Sequence, residues 1–224
     1  MSHAQRTTWD FYSAGRVVFG CGAVDRLGAL SLRIGTQHAL VVTDQGLASC
    51  GAVDRVQQSL LAAGVRVSVF DGGEPEPSVD AAIAAVKCAH EVQPDVIVGL
   101  GGGSNLDLAK ITANLFRHGG TPQNYFGFDQ IPGPTLPLIA IPTTAGTGSE
   151  VSHAAVLTDT ASEMKFSTLS PHLRPKLAVV DPELTVTCPA VATADSGIDA
   201  LTHAIESYTA IDHTDLDIPV EQDV

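Results

Sequence analysis

Basic residues are scarce in this sequence. Its 224 residues carry 12 lysines and arginines against 25 aspartates and glutamates, a net charge of −13. Such a surface repels a phosphate backbone, so no nucleic-acid partner is expected. No basic cluster is present to hold an anionic membrane surface. Backbone N–H groups carry no formal charge, so a local site can still bind an anionic cofactor. Cysteine is sparse as well. Cys21, Cys50, Cys88 and Cys188 are widely spaced and form no C-x-x-C pair, the pattern of free thiols in a reducing compartment. The opening MSHAQRTTWDFYS lacks an apolar h-region, and no apolar run approaches the length of a membrane span. A cytoplasmic protein without a membrane partner is the expectation. There is no repeat and no low-complexity tract.

Hydrophobic residues, by contrast, make up 44% of the chain, enough for the core of one large α/β domain or of one domain and the start of another. Strand-like and helix-like stretches alternate. HALVVT (38–43) is apolar and β-branched and is followed by a turn at Asp44-Gln45-Gly46; GAVDRVQQSLLAA (51–63) has helical spacing and stops at Gly64. VRVSVF (65–70) reads as a strand, and SVDAAIAAVKCAH (78–90) as a helix opened by the N-cap Ser78. DVIVG (95–99) is a short, wholly apolar strand of the kind buried on both faces of a parallel sheet. A helix is predicted over 104–116, a Gly/Pro-rich loop from Gly119 to Pro137, and strands at 138–141, 152–158, 164–168 and 177–180. Asp181-Pro182 breaks the pattern, and the chain becomes helical from about Ala190. The order βαβαβ predicts a layered α/β fold. The domain boundary falls near 181–190.

Three constellations carry candidate chemistry. In VIVGLGGGSNLDLAK (96–110) a buried strand runs into consecutive glycines and then a helix. Glycines permit positive φ and close approach to the backbone, while the helix start offers unpaired N–H groups and a positive dipole end. Together these suit a pyrophosphate. The pattern Gly99-x-Gly101-x-x-Ser104 departs from the usual Rossmann fingerprint, and no acidic residue follows it at the expected strand end. An upstream acid, Asp44, is a ribose-binding candidate that would disfavour a 2′-phosphate; as a turn or N-cap residue it would need no ligand. The second constellation, IPTTAGTGSE (141–150), sets hydroxyls and small residues after a strand, apt for a cofactor's phosphates, ribose or nicotinamide, or for a plain polar loop. In the third, ADSGIDALTHAIESY (194–208), Asp199 and His203 stand at i and i+4 on one helical face, with Asp195 and Glu206 near the same stripe. A carboxylate and an imidazole one turn apart form half a divalent-metal site, or a simple hydrogen-bonded pair.

GGGSNLDLAK at 101–110, PTTAGTGSEVS at 142–152, DPELT at 181–185 and GIDALTHAIESY at 197–208 together resemble the iron-containing (group III) alcohol dehydrogenase family, over about residues 10 to 210. The resemblance implies a Rossmann-like parallel-sheet nucleotide-binding domain, residues 1–185, followed by the beginning of an all-helical metal-binding domain, residues 186–224. It implies NAD, or NADP, as cofactor. Asp44 would face the adenosine ribose, Gly101, Gly102, Gly103 and Ser104 would hold the pyrophosphate, and Asp107 and Lys110 would stand on the helix behind. Thr143, Thr144, Thr147 and Ser149 would line the cleft, with Lys165 on the cofactor side. Asp199 and His203 would be the first two ligands of a divalent metal, iron favoured and zinc the alternative. The implied reaction is hydride transfer between a small alcohol or hydroxy acid and its carbonyl compound, with the metal polarising the alcohol oxygen. Association into a homo-oligomer is compatible with that reading.

The sequence also departs from the family. The family's other two metal histidines and its catalytic residues are expected beyond the polar, proline-interrupted IDHTDLDIPVEQDV, so little turnover and an exposed apolar interdomain face are expected of the chain as it stands. His213 is not taken as a ligand. Glu76 stands where the family commonly has asparagine. FSTLSPHLRPKLAVVDPELT resembles the hydroxyacid–oxoacid transhydrogenase branch, which makes that activity an alternative; a nucleotide-binding module without catalysis is another.

Overall fold

The computed structural model describes residues 14–210; His213 lies outside them. In chain order the elements are β1 (Arg16–Phe19), α1 (Leu27–Leu32), β2 (His38–Val42), α2 (Gln45–Ser49), α3 (Ala52–Ala62), β3 (Arg66–Phe70), α4 (Val79–Val92), β4 (Val96–Gly101), α5 (Gly103–His118), β5 (Gly127–Phe128), β6 (Leu138–Pro142), β7 (Ala154–Asp159), β8 (Met164–Leu169), β9 (Leu177–Val180) and α6 (Ala190–Thr209). Short 3-10 turns join several of them. No described helix is long and apolar enough to cross a membrane. All four cysteines are free.

Six strands form one sheet in the order β1-β9-β6-β4-β2-β3, and every pair is parallel. β2, β4 and β6 are buried at every position. Successive side chains point to opposite faces, and the two faces fill two cores. Ala39, Val41, Val98 and Ile139 pack with α1 and α3 on one side. Leu40, Val42, Ile97 and Leu138 pack with α4 and α5 on the other. Gly99, inside β4, leaves room for α5: a Cβ there would meet Ala109 Cβ at 2.9 Å.

The stretches at 152–158 and 164–168 do form strands, but not in the main sheet. β7 and β8 make an antiparallel hairpin, joined by β5 into a separate three-stranded sheet. The Gly/Pro-rich segment contributes that third strand. β7 also packs on α5, through Ala155 and Leu157, so the small sheet flanks the start of that helix.

Strand order explains the defective fingerprint. Taking β2 as the first strand, its neighbours are the second, β3, on one side and the third, β4, on the other. The order is therefore 2-1-3-4-5 with β1 added at the far edge, the flavodoxin-like doubly wound arrangement. The chain reverses direction across the sheet between β2 and β4, and a crevice opens outside their carboxyl ends. The glycine turn thus follows the third strand, and the acid ends the first. The usual fingerprint puts the turn after the first strand and the acid at the end of the second.

Candidate functional site

Two of the three sequence constellations end at this crevice. Asp44, two residues beyond the end of β2, caps α2, its Oδ1 accepting from Leu47 N–H at 2.9 Å. The turn read from the sequence at Asp44-Gln45-Gly46 is therefore the first turn of a short helix. Its Oδ2 accepts from Asn105 Nδ2 at 2.6 Å. Asn105 belongs to the first turn of α5, so this bond ties the acid to the glycine turn.

Gly101 is the buried last residue of β4, with φ +144°. Gly102 is the N-cap of α5 and supplies no side-chain cap. The first-turn N–H groups of a 16-residue helix therefore open toward the crevice without a carboxylate or hydroxyl of their own. Conformation disfavours a side chain at Gly101 and contact excludes one at Gly103. A Cβ on Gly103 would meet Thr147 Cγ2 at 2.8 Å, and one on Gly102 would sit 3.4 Å from Thr144 Cγ2. The backbone donors, the positive helix end and the close glycine–threonine walls fit a pyrophosphate.

The loop 143–152 forms the other wall. Thr143 N–H donates to Gly101 O at 3.0 Å, which locks the loop to the glycine turn. Lys110, wholly buried, fastens its far end: Nζ donates to Ser149 Oγ at 2.7 Å, Ser152 Oγ at 3.1 Å and Ala154 O at 2.6 Å. Burial pushes the Lys110 ammonium below its ordinary pKa, and the carboxylate of Asp107, 3.5 Å away, works against that. Asp107 in turn accepts from Ser149 Oγ at 2.6 Å and from Val156 N–H at 2.9 Å. Both of its oxygens thus have protein donors. It holds the loop and β7 in place, and it lines the same cavity as Gly103 and Ser104.

Three adjoining cavities follow the crevice. One of about 280 Å³ brings Asp44 together with Gly102, Thr143 and Thr144. A second, of about 740 Å³, adds Ser104, Asn105 and the loop 71–75. The third, of about 520 Å³, is lined by Gly103, Ser104, Asp107, Thr147, Ser149, Lys165, Asp199 and His203. Segments from six parts of the chain therefore line these cavities.

Asp199 and His203 reach the third cavity from α6. Oδ1 and Nε2 are 3.7 Å apart, and both side chains are about half exposed. Asp195 and Glu206 do not join them; among the described residues no three His, Cys, Asp or Glu side chains gather as a metal site. Two donors do not complete a divalent-ion site. The described residues therefore offer a crevice suited to a pyrophosphate and only half of a metal site. α6 touches the α/β unit through Ala192, Ser196 and Asp199, with Ser196 its one buried residue among those described. Its other face bears an exposed stripe of Ile198, Leu201, Ile205 and Tyr208.

Sequence reasoning missed Asn105, Gly73 and Gly146. Asn105 lay within a quoted motif, but its partner is distant in sequence. Gly73 N–H donates to Thr43 O at 2.8 Å and brings the loop after β3 to the crevice. Gly146 backs directly onto the α6 backbone at Ser196.

A doubly wound parallel sheet with an uncapped glycine turn at its switch point is the architecture of Rossmann-like dinucleotide-binding domains. Iron-containing alcohol dehydrogenase is the family that matches residues 14–182, and the chain belongs to it. It is 38% identical over 201 residues to the NAD-dependent methanol dehydrogenase of Bacillus methanolicus, covering 90% of this chain and 53% of that protein. Long-chain-alcohol dehydrogenase 1 of Geobacillus thermodenitrificans is 41% identical over 208 residues, 89% of this chain and 52% of the relative. Among solved structures, the alcohol dehydrogenase from Oenococcus oeni superimposes with a TM-score of 0.88 at 32% identity, over 93% of this chain and 56% of that one. The chain thus spans about half the length of the relatives it matches.

Proposed function

We propose that this chain forms the dinucleotide-binding side of a metal-assisted oxidoreductase that interconverts an alcohol and its carbonyl compound. The uncapped start of α5, facing the threonine loop and Asp44 across one crevice, carries this reading. Gly102, Gly103 and Ser104 offer backbone donors to the pyrophosphate, and Thr144 and Thr147 close over it. Asp44 accepts hydroxyl donors from the adenosine ribose. Each of its oxygens has one protein donor and retains a second acceptor site. A carboxylate there opposes a 2′-phosphate, which favours NAD over NADP; the name of the methanol dehydrogenase relative agrees. The dinucleotide, when bound, supplies the hydride-accepting carbon.

At the far end, Asp199 and His203 offer a carboxylate and an imidazole to a divalent ion, with iron favoured by the family. Lys165 and Ser149 border the space between them and the glycine turn. The α/β unit, residues 1–185, orients the cofactor; residues from 186 begin a helical unit whose exposed stripe on α6 is built to be covered.

Calorimetric titration of the purified chain with NAD and NADP tests the reading. One site per chain with NAD preferred over NADP is expected. A folded chain that binds neither refutes it.

A further inference from the structure

The pair at the mouth of the third cavity is an unusual one. Lys165, on β8, would be the cation on the cofactor side, yet its Nζ lies 2.6 Å from Glu76 Oε1. Glu76 belongs to the loop between β3 and α4, in the left-handed region at φ +54°. L-residues other than glycine, asparagine and aspartate pay for that conformation. Its N–H donates to Ser104 Oγ at 3.4 Å, so the carboxylate is anchored beside the start of α5. Glu76, Lys165, Gly103 and Ser104 line the same cavity. An anion of the protein thus stands next to the positive helix end and holds the lysine that lines the same cavity, the two features an incoming pyrophosphate would use. Both side chains are more than half exposed, at 56% and 65%, so the pair is easily broken.

We propose that Glu76 sets the cofactor affinity of this chain: its carboxylate is an internal competitor for Lys165 and must release it before the anionic centre of a dinucleotide can seat. This rests on the dinucleotide reading above. The effect is one of charge and not of shape. Removing the charge should free Lys165 and abolish the repulsion between Glu76 and the phosphates.

The test is NAD titration of the full chain and of Glu76→Gln, Glu76→Asn, Lys165→Met and Glu76→Gln/Lys165→Met, with thermal unfolding as the control for folding. Gln keeps the size and backbone preference of Glu; Asn additionally suits positive φ. Glu76→Gln should tighten NAD about threefold to tenfold at low ionic strength, with most of that gain screened at high salt. Lys165→Met should cost more affinity in the Gln background than in the native chain, because only there is the lysine free beforehand. Equal affinity of Glu76→Gln and the native chain overturns the inference alone, as does an equal cost of Lys165→Met in both backgrounds. A gain confined to Glu76→Asn and indifferent to salt also overturns it, since that reports backbone relief. Failure of every folded variant to bind NAD overturns the dinucleotide reading and this inference together.

Discussion

Asn105 Nδ2 donates to Asp44 Oδ2 at 2.6 Å and so joins the two strand ends that part at the switch point. The bond gives Asp44 two duties, since its other oxygen caps α2. Asp44→Ala should cost about 1 kcal/mol of stability from the lost cap. It should also weaken NAD about tenfold or more, on the scale of a hydrogen bond to a charged group. Asn105→Ala leaves the cap intact and should weaken NAD less. Melting curves and NAD titrations of the two variants check this. A normal NAD affinity in Asp44→Ala would reduce the residue to a helix cap.

Contact between Gly103 and Thr147 sets the width of the proposed phosphate cradle. A Cβ on Gly103 meets Thr147 Cγ2 at 2.8 Å, with Thr147 Cβ and Oγ1 each at 3.1 Å. Gly103→Ala should therefore destabilise by about 1–3 kcal/mol and weaken NAD. Thr147→Ser removes the methyl that makes the closest contact and keeps the hydroxyl. Adding it to Gly103→Ala should restore part of the lost stability. Additive losses in the double variant would place the strain elsewhere.

The sequence disclosed most of this architecture where burial leaves a one-dimensional trace. β2, β4 and β6 are covered on both faces and so appear as unbroken apolar runs. β1 leaves no such trace: it is an edge strand with Val17 and Phe19 exposed, and only its pairing with β9 reveals it. α2 has five residues, too few for a helical period, so Asp44-Gln45-Gly46 read as a turn. Strand-like composition at 154–159 and 164–169 could not say that these strands leave the main sheet, because partners are not written in periodicity. The same limit applies at the site. The glycine turn and threonine loop are local and legible. The Asn105–Asp44 bond, the Lys110 staple and the Glu76–Lys165 pair join residues 61, 39 and 89 positions apart and exist only once the fold is formed.

His153 predicts an acid sensitivity. Its Nδ1 lies 3.3 Å from an Arg174 guanidinium nitrogen and, facing a donor, must be unprotonated. Burial, and then the charges of Arg174 and Lys110, hold its pKa below the ordinary 6.5. The unfolded chain therefore takes up this proton at a higher pH than the folded one. Between the two values the unfolded state binds more protons, so stability falls as pH drops below about 6.5 and levels off beneath the folded value. His153→Gln keeps an acceptor for Arg174 without the titration. Urea unfolding across pH 5 to 8 should show the native chain losing stability relative to this variant only in the acid limb. Parallel curves would exclude the residue as the cause.

The position of Asp199 and His203 depends on a contact made elsewhere on α6. Gly146, in the threonine loop, lies against the backbone of Ser196, whose carbonyl oxygen and carbon a Cβ would strike. Ser196 is also the one buried residue of α6 among those described, and its Oγ donates to Ala192 O at 2.6 Å, one turn back. The helix is thus seated chiefly at Ser196, three residues before Asp199, with Ala192 and Asp199 only half-buried beside it. Gly146→Ala should push α6 away from the loop while the two cores of the α/β unit, which lie elsewhere, stay packed. The expected result is a small loss in melting temperature, NAD affinity reduced only severalfold, and a clear rise in amide exchange along 190–209. Unchanged exchange in α6 would show that the helix is held by something other than this contact.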